Sequence, residues 1–315
     1  VSPRAATVFP LAAVVGSLLG FLFAYARDLL DDRFRTPEQL QQQTDLPLLS
    51  VIGDLPVLSD SGIHRLLVNQ PQYSPEAESF RTLRTTLRFR SGNPDSIAVT
   101  SAEPGDGKTT VLANLAASLA QGGQKVLVID GDLRKPALSK LCRMKGRPGL
   151  VELMTDPGSI EENAAASIHK SSQPGFEVLP CGRKTADSAE LLQRERFPEF
   201  IAWAESQYDV VLVDCPPIMA ASDGLIIGQY VEGMLVIVQP RKNKRNAVLR
   251  TIDRLRALQV PLIGVVANRV AADQSNEYGV YGYSYSYQSK EGEADAVSND
   301  LPDAASESFE QCDAA

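Results

Sequence analysis

The sequence predicts an α/β fold, a doubly wound and mainly parallel sheet with helices on both faces. Three observations predict it. From Ser96 onward a pattern of strand, loop and helix repeats to about residue 270. The strand runs are apolar without alternation, as in a sheet covered on both sides. Aspartates stand at the carboxyl ends of two of those runs, where open α/β sheets bind their ligands.

The chain opens differently. Residues 8–26, "VFPLAAVVGSLLGFLFAYA", carry no charge. At 1.5 Å per residue a helix of that length covers about the ~30 Å core of a bilayer, so a transmembrane helix is expected here, after an extracytoplasmic stub over 1–7. A cleaved signal peptide ending at Ala24-Tyr25-Ala26 and a buried core helix are the competing readings. Gly16 and Gly20 form a GxxxG spacing that permits close helix pairing and also arises by chance. Arg4 precedes the run and Arg27, Arg33 and Arg35 follow it, which puts the C-terminal side in the cytoplasm. The chain begins with Val1, which suggests the C-terminal part of a longer membrane protein.

Residues 27–74 read as a juxtamembrane linker. Within it Thr36 can cap a short helix whose first residue is Pro37, and "LPLLSVIGDLP" is a short extended piece. The main domain is expected over 75–272. It starts with a helix over 75–90 and continues through strands at "SIAVTS", "KVLVID", "FEVLP", "YDVVLVD", "GMLVIVQ" and "PLIGVVANRV". Between them "TTVLANLAASLAQGG", "ELLQRERFPEFIAWAES", "ASDGLIIGQYV" and "RNAVLRTIDRLRAL" read as helices. The connections follow the right-handed crossover rule of parallel sheets.

Chemistry concentrates in "SAEPGDGKTT", residues 101–110, which follows a strand and opens a helix. That is the setting of a phosphate-binding P-loop. Gly105 and Gly107 let the backbone N–H groups around Asp106 curl inward, and the helix N-terminus adds its positive dipole end. Lys108 supplies a charge for the β- and γ-phosphates, and Thr109, followed by Thr110, a hydroxyl for Mg²⁺. Ala102 replaces the first glycine of GxxxxGK[ST]. Asp130, Asp132 and Asp214 lie at or just beyond strand ends, where carboxylates hold Mg²⁺ directly or through water and one can take a proton from an attacking hydroxyl. ATP and Mg²⁺ are the expected cofactors, with Thr109, Asp130 and Asp214 as the metal set.

At the other end, "YGVYGYSYSY" places Tyr278, Tyr281, Tyr283, Tyr285 and Tyr287 in ten positions. A glycine-serine-tyrosine stretch is too poor in aliphatic residues to fold alone, so 273–315 is expected to be a disordered tail. From 288 to 315 eight acidic residues face one lysine, so most of the net charge of −8 sits there. The seven basic residues of 241–256 could receive such a tail or form a solvated helix face. No basic excess points to nucleic acid. The four cysteines lack CxxC spacing, which argues against zinc and against a disulfide framework.

Together these segments resemble the bacterial tyrosine kinases that are joined to polysaccharide chain-length regulators of the inner membrane. The resemblance runs from the apolar helix to the tyrosine tail. "SAEPGDGKTT" resembles the family's Walker A, "VLVIDGDLRKP" its second acidic motif and "VVLVDCPP" its Walker B. "ESFRTLR" matches an ExxRxxR pattern through Glu78, Arg81 and Arg84, which in the family joins ring subunits. Related partition and septum-placement ATPases carry an extra lysine where this chain has Glu103, which favours the kinase branch.

The resemblance implies a P-loop NTPase-type fold and an ATP-dependent autokinase. Such an enzyme phosphorylates its own tyrosine cluster in a neighbouring subunit and regulates exopolysaccharide polymerisation and export. It implies Lys108, Asp130, Asp132 and Asp214 as catalytic residues, Asp130 being the one that activates the tyrosyl hydroxyl, and Asn268 as the reader of adenine. A phosphotyrosine phosphatase and export proteins are the implied partners. A membrane-bound ATPase switch without significant tyrosine transfer is the alternative. Cys215 stands where the family has Thr, and "RKTADSAELL" lacks the usual Asn-Pro.

Overall fold

The computed structural model describes residues 5–29, 31–55, 74–90, 92, 94–171 and 175–271. The tyrosine cluster 278–287 and the acidic tail, like 56–73, lie outside the described residues. Among the described residues one eight-stranded sheet organises the chain. In sequence order its strands are β1 (Leu48–Val51), β2 (Ser96–Ser101), β3 (Val126–Asp130), β4 (His169–Lys170), β5 (Phe176–Leu179), β6 (Val210–Asp214), β7 (Gly233–Val238) and β8 (Leu262–Ala267). Across the sheet they run β1-β8-β7-β2-β6-β3-β5-β4. Every pairing is parallel except that of β4 with β5.

The absence of apolar alternation has a direct cause. Along β3, Leu127 and Ile129 enter one core while Val126 and Val128 enter the other, and all four are buried. Side chains alternate across a strand, so a strand feeding two cores is apolar at every position. One face is covered by α3 (Pro75–Arg90), through Phe80, Leu83 and Leu87, and by α4 (Lys108–Gln121). The other is covered by α6 (Leu150–Thr155), α9 (Arg196–Gln207) and α11 (Arg245–Ala257). Because both faces are filled, the ends of the sheet are left for chemistry.

The stretch read as a linker contributes to the domain. Phe34 and Leu40 are fully buried, the latter on α2 (Pro37–Thr44), whose N-cap Thr36 accepts a hydrogen bond from Gln39 N. β1 then pairs with β8, so residues ahead of position 75 form the edge of the sheet. Residues 31–33 are tied to the segment before α11. Arg33 bridges Lys244, Arg245 N donates to Asp32 O at 2.7 Å, and Arg33 Nη1 donates to Arg241 O at 3.1 Å. The basic run 241–256 is therefore no uniform solvated face, since Arg256 Nη2 also donates to Thr44 O at 2.9 Å.

Upstream, α1 (Ala5–Leu29) is helical over 25 residues and includes the whole uncharged run. Its described apolar side chains face outward, Phe9 at 74% and Phe21 at 81% exposure among them. Side chains of α1 are described without a break only over 12–27, and over the described residues no helix is long and apolar enough to cross a membrane.

Two expectations change. The helix read through 190–206 is two helices, α8 (Ser188–Leu192) and α9. Pro198 is the cause: it is tolerated in the first turn of α9 but would break a helix that ran through it. The helix read over 221–231 shrinks to α10 (Asp223–Ile227). The sequence reading also passed over α5 (Ala137–Leu141), α6, α7 (Ile160–Ser167) and the two-residue β4.

Replacing Phe34 with Ala should destabilise the domain by about 3–5 kcal/mol through a cavity between 31–45 and the sheet. Urea unfolding of the two proteins checks this.

Candidate active site

The site is built at the carboxyl ends of β2, β3 and β6. β2 ends in the loop 102–107, which curls because Gly105 and Gly107 take left-handed φ values of +81° and +90°. A Cβ on Gly107 would lie 2.3 Å from Asn268 Nδ2, so this position excludes side chains on both counts. α4 then begins at Lys108, which aims the first-turn N–H groups and the Lys108 ammonium at the same space.

The loop is held from behind. Asp106 is fully buried, and its carboxylate accepts from Glu103 N at 3.0 Å, Lys242 Nζ at 2.7 Å and Asn243 Nδ2 at 2.9 Å. Lys242 Nζ also donates to Pro104 O at 2.6 Å, and Asn243 Nδ2 reaches Glu103 Oε2 at 2.9 Å. Asn268 Nδ2 donates to Asp106 O at 2.7 Å. Asp106 thus shapes the loop from inside. Lys242 and Asn243 were not found from sequence, because their spacing from the loop exceeds 130 positions and no motif joins them. Asn268 sits behind the loop, and its buried Oδ1 has no hydrogen-bond partner among the described residues.

The carboxylates converge as the sequence predicted. Asp130 and Asp214 are register partners on neighbouring strands. Lys108 Nζ lies 3.3 Å from Asp132 Oδ2 and 3.4 Å from Asp214 Oδ1, while Thr109 Oγ1 donates to Asp214 Oδ2 at 2.6 Å. Burial alone would lower the Lys108 ammonium, but Asp214 and Asp132 outweigh it and hold it above its usual range. Burial likewise raises Asp214 against the pull of Lys108 and Thr109.

Asp130 stands apart from the cation. Its Oδ2 accepts from Ser139 N at 2.7 Å and Ser139 Oγ at 2.6 Å, and its Oδ1 is buried without a partner among the described residues. Burial and the neighbouring Asp214 push it up to about 7. Ser139 was also missed, although it lies nine residues beyond Asp130.

A pocket of about 500 Å³ opens over these groups, lined by Gly105, Gly107, Lys108, Thr109 and Thr110 with Asp132 and Arg134. Pro216, Pro217, Ala220 and Ala221 form an apolar wall, and Arg269 closes another side. A larger cavity of about 730 Å³ opens at the opposite, amino end of the strands near Arg84, Asp95 and Gln124, and holds none of the phosphate-loop residues. Of the motif read as an interface, Glu78 and Arg81 pair at 2.7 Å on the exposed side of α3. Arg84 instead turns inward to cap Ser118 O near the end of α4.

No group of three or more His, Cys, Asp or Glu side chains that could hold a metal forms among the described residues. Mg²⁺ does not require one: in nucleotide sites it is held by one or two carboxylates, a hydroxyl, water and the phosphates themselves. Adjacent hard oxygens at Thr109 and Asp214, with the unpartnered Asp130 Oδ1 nearby, fit that donor chemistry.

A phosphate loop between a parallel strand and a buried helix, with carboxylates on two neighbouring strands, defines a nucleotide-binding P-loop NTPase. Residues 94–294 match the family model for ParA-type proteins, described as an NUBPL iron-transfer P-loop NTPase. The tyrosine-protein kinase YwqD of Bacillus subtilis is 32% identical over 69% of this chain and 91% of its own length. The tyrosine-protein kinase Wzc of Salmonella typhimurium is 30% identical over 91% of this chain but 42% of its own, so the chain spans about two fifths of the longer curated relatives it matches. The solved kinase domain of the Escherichia coli tyrosine kinase ETK superposes with a TM-score of 0.68 at 31% identity, over 76% of this chain and 95% of that one. The chain belongs to the bacterial tyrosine-protein kinase family.

Two outcomes follow from this geometry. Gly107→Ala should weaken nucleotide binding at least about tenfold while leaving the fold intact, read by fluorescent-nucleotide titration and circular dichroism. Asp130 has a folded-state pKa near 7 against 3.8 for the free carboxyl, so between those values the folded chain binds more protons than the unfolded one. Its contribution to stability therefore declines as pH rises from about 4 to about 7. Asp130→Asn, which keeps an acceptor for Ser139, should remove that decline and be the more stable protein at about pH 8 in urea titrations containing EDTA.

Proposed function

We propose that the chain is an ATP-dependent protein-tyrosine autokinase whose acceptors are Tyr278, Tyr281, Tyr283, Tyr285 and Tyr287 of a neighbouring copy. The observation that carries the reading is the convergence of Lys108, Thr109, Asp132 and Asp214 in a pocket of a chain whose relatives are named tyrosine kinases. The tyrosine cluster supplies phenols that no predicted core requires.

In this reading the backbone N–H groups of 105–110 hold the phosphates, and Lys108 shifts its charge from its two carboxylates to the β- and γ-oxygens. The phenolic oxygen attacks the γ-phosphorus, the bond to the β–γ bridging oxygen breaks, and the phenolic proton passes to a strand-end carboxylate. Asp130 suits that last role because its pKa of about 7 lets it accept a proton near neutral pH. Asn268 and Arg269 border the base. Thr109 and Asp214, with Asp130 through water, would hold Mg²⁺, which would supply positive charge to offset the charge that develops on the phosphate oxygens.

The surroundings follow from the same reading. The outward apolar surface of α1 suits insertion into the inner membrane, with Arg27, Arg33 and Arg35 keeping the domain and tail on the cytoplasmic side. The exposed Glu78–Arg81 pair supports ring assembly that brings a tail to its neighbour. Regulation of exopolysaccharide polymerisation and export, reversed by a phosphotyrosine phosphatase, is the role in which such a switch would act. Each phosphate adds about −1.5 to −2 charges beside an already acidic tail, which favours release of the neighbour.

Lys108→Met should lower phosphotyrosine on 278–287 by at least about a hundredfold. The test is mass spectrometry and transfer of labelled γ-phosphate with the full chain and Mg·ATP. Label found only as free phosphate in the unsubstituted protein would favour the ATPase-switch reading instead.

A further inference from the structure

Arg134 lies two residues beyond Asp132 and lines the pocket beside Lys108 and Thr109. One edge of its guanidinium is fixed. Nε donates to Asp223 Oδ2 and Nη2 to Asp223 Oδ1, each at 3.2 Å. Asp223 is fully buried, whereas the Arg134 side chain is 50% exposed. The pair is thus a planar fork anchored at its inner edge, and the Nη1 edge makes no hydrogen bond among the described residues. A guanidinium has five N–H donors, so the anchor leaves up to three for a ligand.

The sheet order gives this cation its side of the pocket. β2, which leads into the phosphate loop, has β7 and then β8 on one flank and β6 and then β3 on the other. Asn268 and Arg269 follow β8, so the base side of the nucleotide falls on the first flank. Arg134 follows β3, and Asp223 follows β6, so they fall on the second. On that second flank lie Asp130, Asp132 and Asp214, the candidate proton acceptors and metal ligands. The flank holding the acceptor chemistry is therefore rich in negative charge. Lys108 is shared between two of those carboxylates, and Lys135, next to Arg134, also lines the pocket.

We propose that Arg134 is a catalytic residue for phosphoryl transfer, donating to the non-bridging oxygens of the group in flight, and that Asp223 is its positioning residue. The step is the one written above: a new bond from phenolic oxygen to phosphorus, a broken bond to the bridging oxygen, and a proton moved to a carboxylate. Arg134 stays protonated throughout. It stabilises charge that spreads over the equatorial oxygens of the transferring group, the task of an arginine finger supplied from within the same chain. Lysine at this position cannot replace it, because only the fork can bind Asp223 with one edge and oxygen with the other. The inference rests on the kinase reading for the identity of the acceptor and on nucleotide binding alone for the role of the cation.

The experiment uses the full chain with Mg·ATP and compares Arg134→Ala, Arg134→Lys and Asp223→Asn with the unsubstituted protein. Four quantities are read: phosphotyrosine formed, inorganic phosphate released, ADP affinity and the urea unfolding midpoint. Arg134→Ala should lower kcat for γ-phosphate loss by about 10²–10³-fold with ADP affinity retained, and should lower the unfolding midpoint because it leaves Asp223 buried without its partner. Millimolar guanidinium should restore part of that rate. Arg134→Lys should recover less than about a tenth of the lost rate, and Asp223→Asn should cost about tenfold in kcat. The inference is overturned if kcat stays within about threefold in Arg134→Ala, or if it falls only in step with ADP affinity or folding. Should label never reach tyrosine in the unsubstituted protein while phosphate release still depends on Arg134, the kinase reading fails and the role of Arg134 stands.

Discussion

The buried ammonium of Lys108, shared between Asp132 and Asp214, is the interaction on which the site depends. A lysine taken out of water without a partner would lose its proton. Two carboxylates at hydrogen-bond distance keep it charged, and they can do so only because β3 and β6 are parallel neighbours whose carboxyl ends lie in register. Lys108 offsets one carboxylate of the three, which is why burial and Asp214 push Asp130 upward and leave its Oδ1 without a partner among the described residues.

A second constraint works on the phosphate loop itself. Its inward N–H groups require left-handed glycines, and a loop of that shape needs support from behind. Asp106 provides it as a buried carboxylate held by Lys242 and Asn243. Those two belong to a segment that is itself clamped by residues 31–33. The apolar helix α1 ends at Leu29, only a few residues ahead of that clamp. Hydrogen bonds thus connect residues 31–33, the loop after β7 and the phosphate cradle in turn.

Much of this was legible in the sequence where the signal is local. Strands that feed two cores must be apolar throughout, so all six strands read from the sequence lie where the runs are. The phosphate loop announces itself because glycine, lysine and threonine each have a fixed task at fixed spacing. The misses have two kinds of cause. Some signals were present and passed over: Ser159 and Glu162 form a capping box that opens α7, and Pro198 marks a helix start inside a run read as one helix. Others have no local signal. β1 lies in a stretch read only as an extended piece, and its place in the sheet comes from pairing with β8 more than 200 positions away. Lys242, Asn243 and Asp223 are ordinary polar residues until the fold brings them to the loop and to Arg134. The basic run 241–256 misled for the same reason, since charge composition cannot tell a solvated lysine from one bound to a buried aspartate.

The position of β2 in the sheet has a consequence for specificity. A phosphate loop on a central strand divides the pocket into two flanks that differ in chemistry. The β7–β8 flank offers an amide oxygen and an arginine. The β6–β3 flank offers three carboxylates, a forked cation and the apolar wall of Pro216, Pro217, Ala220 and Ala221. Under the proposed autokinase function, an aromatic ring with a hydroxyl at its tip would match that second flank, its ring against the apolar wall and its hydroxyl toward the carboxylates. A water molecule would gain nothing from the wall. In the autokinase reading, selectivity for a phenol over water as acceptor would be set by the loop after β6, which the fully buried Cys215 opens.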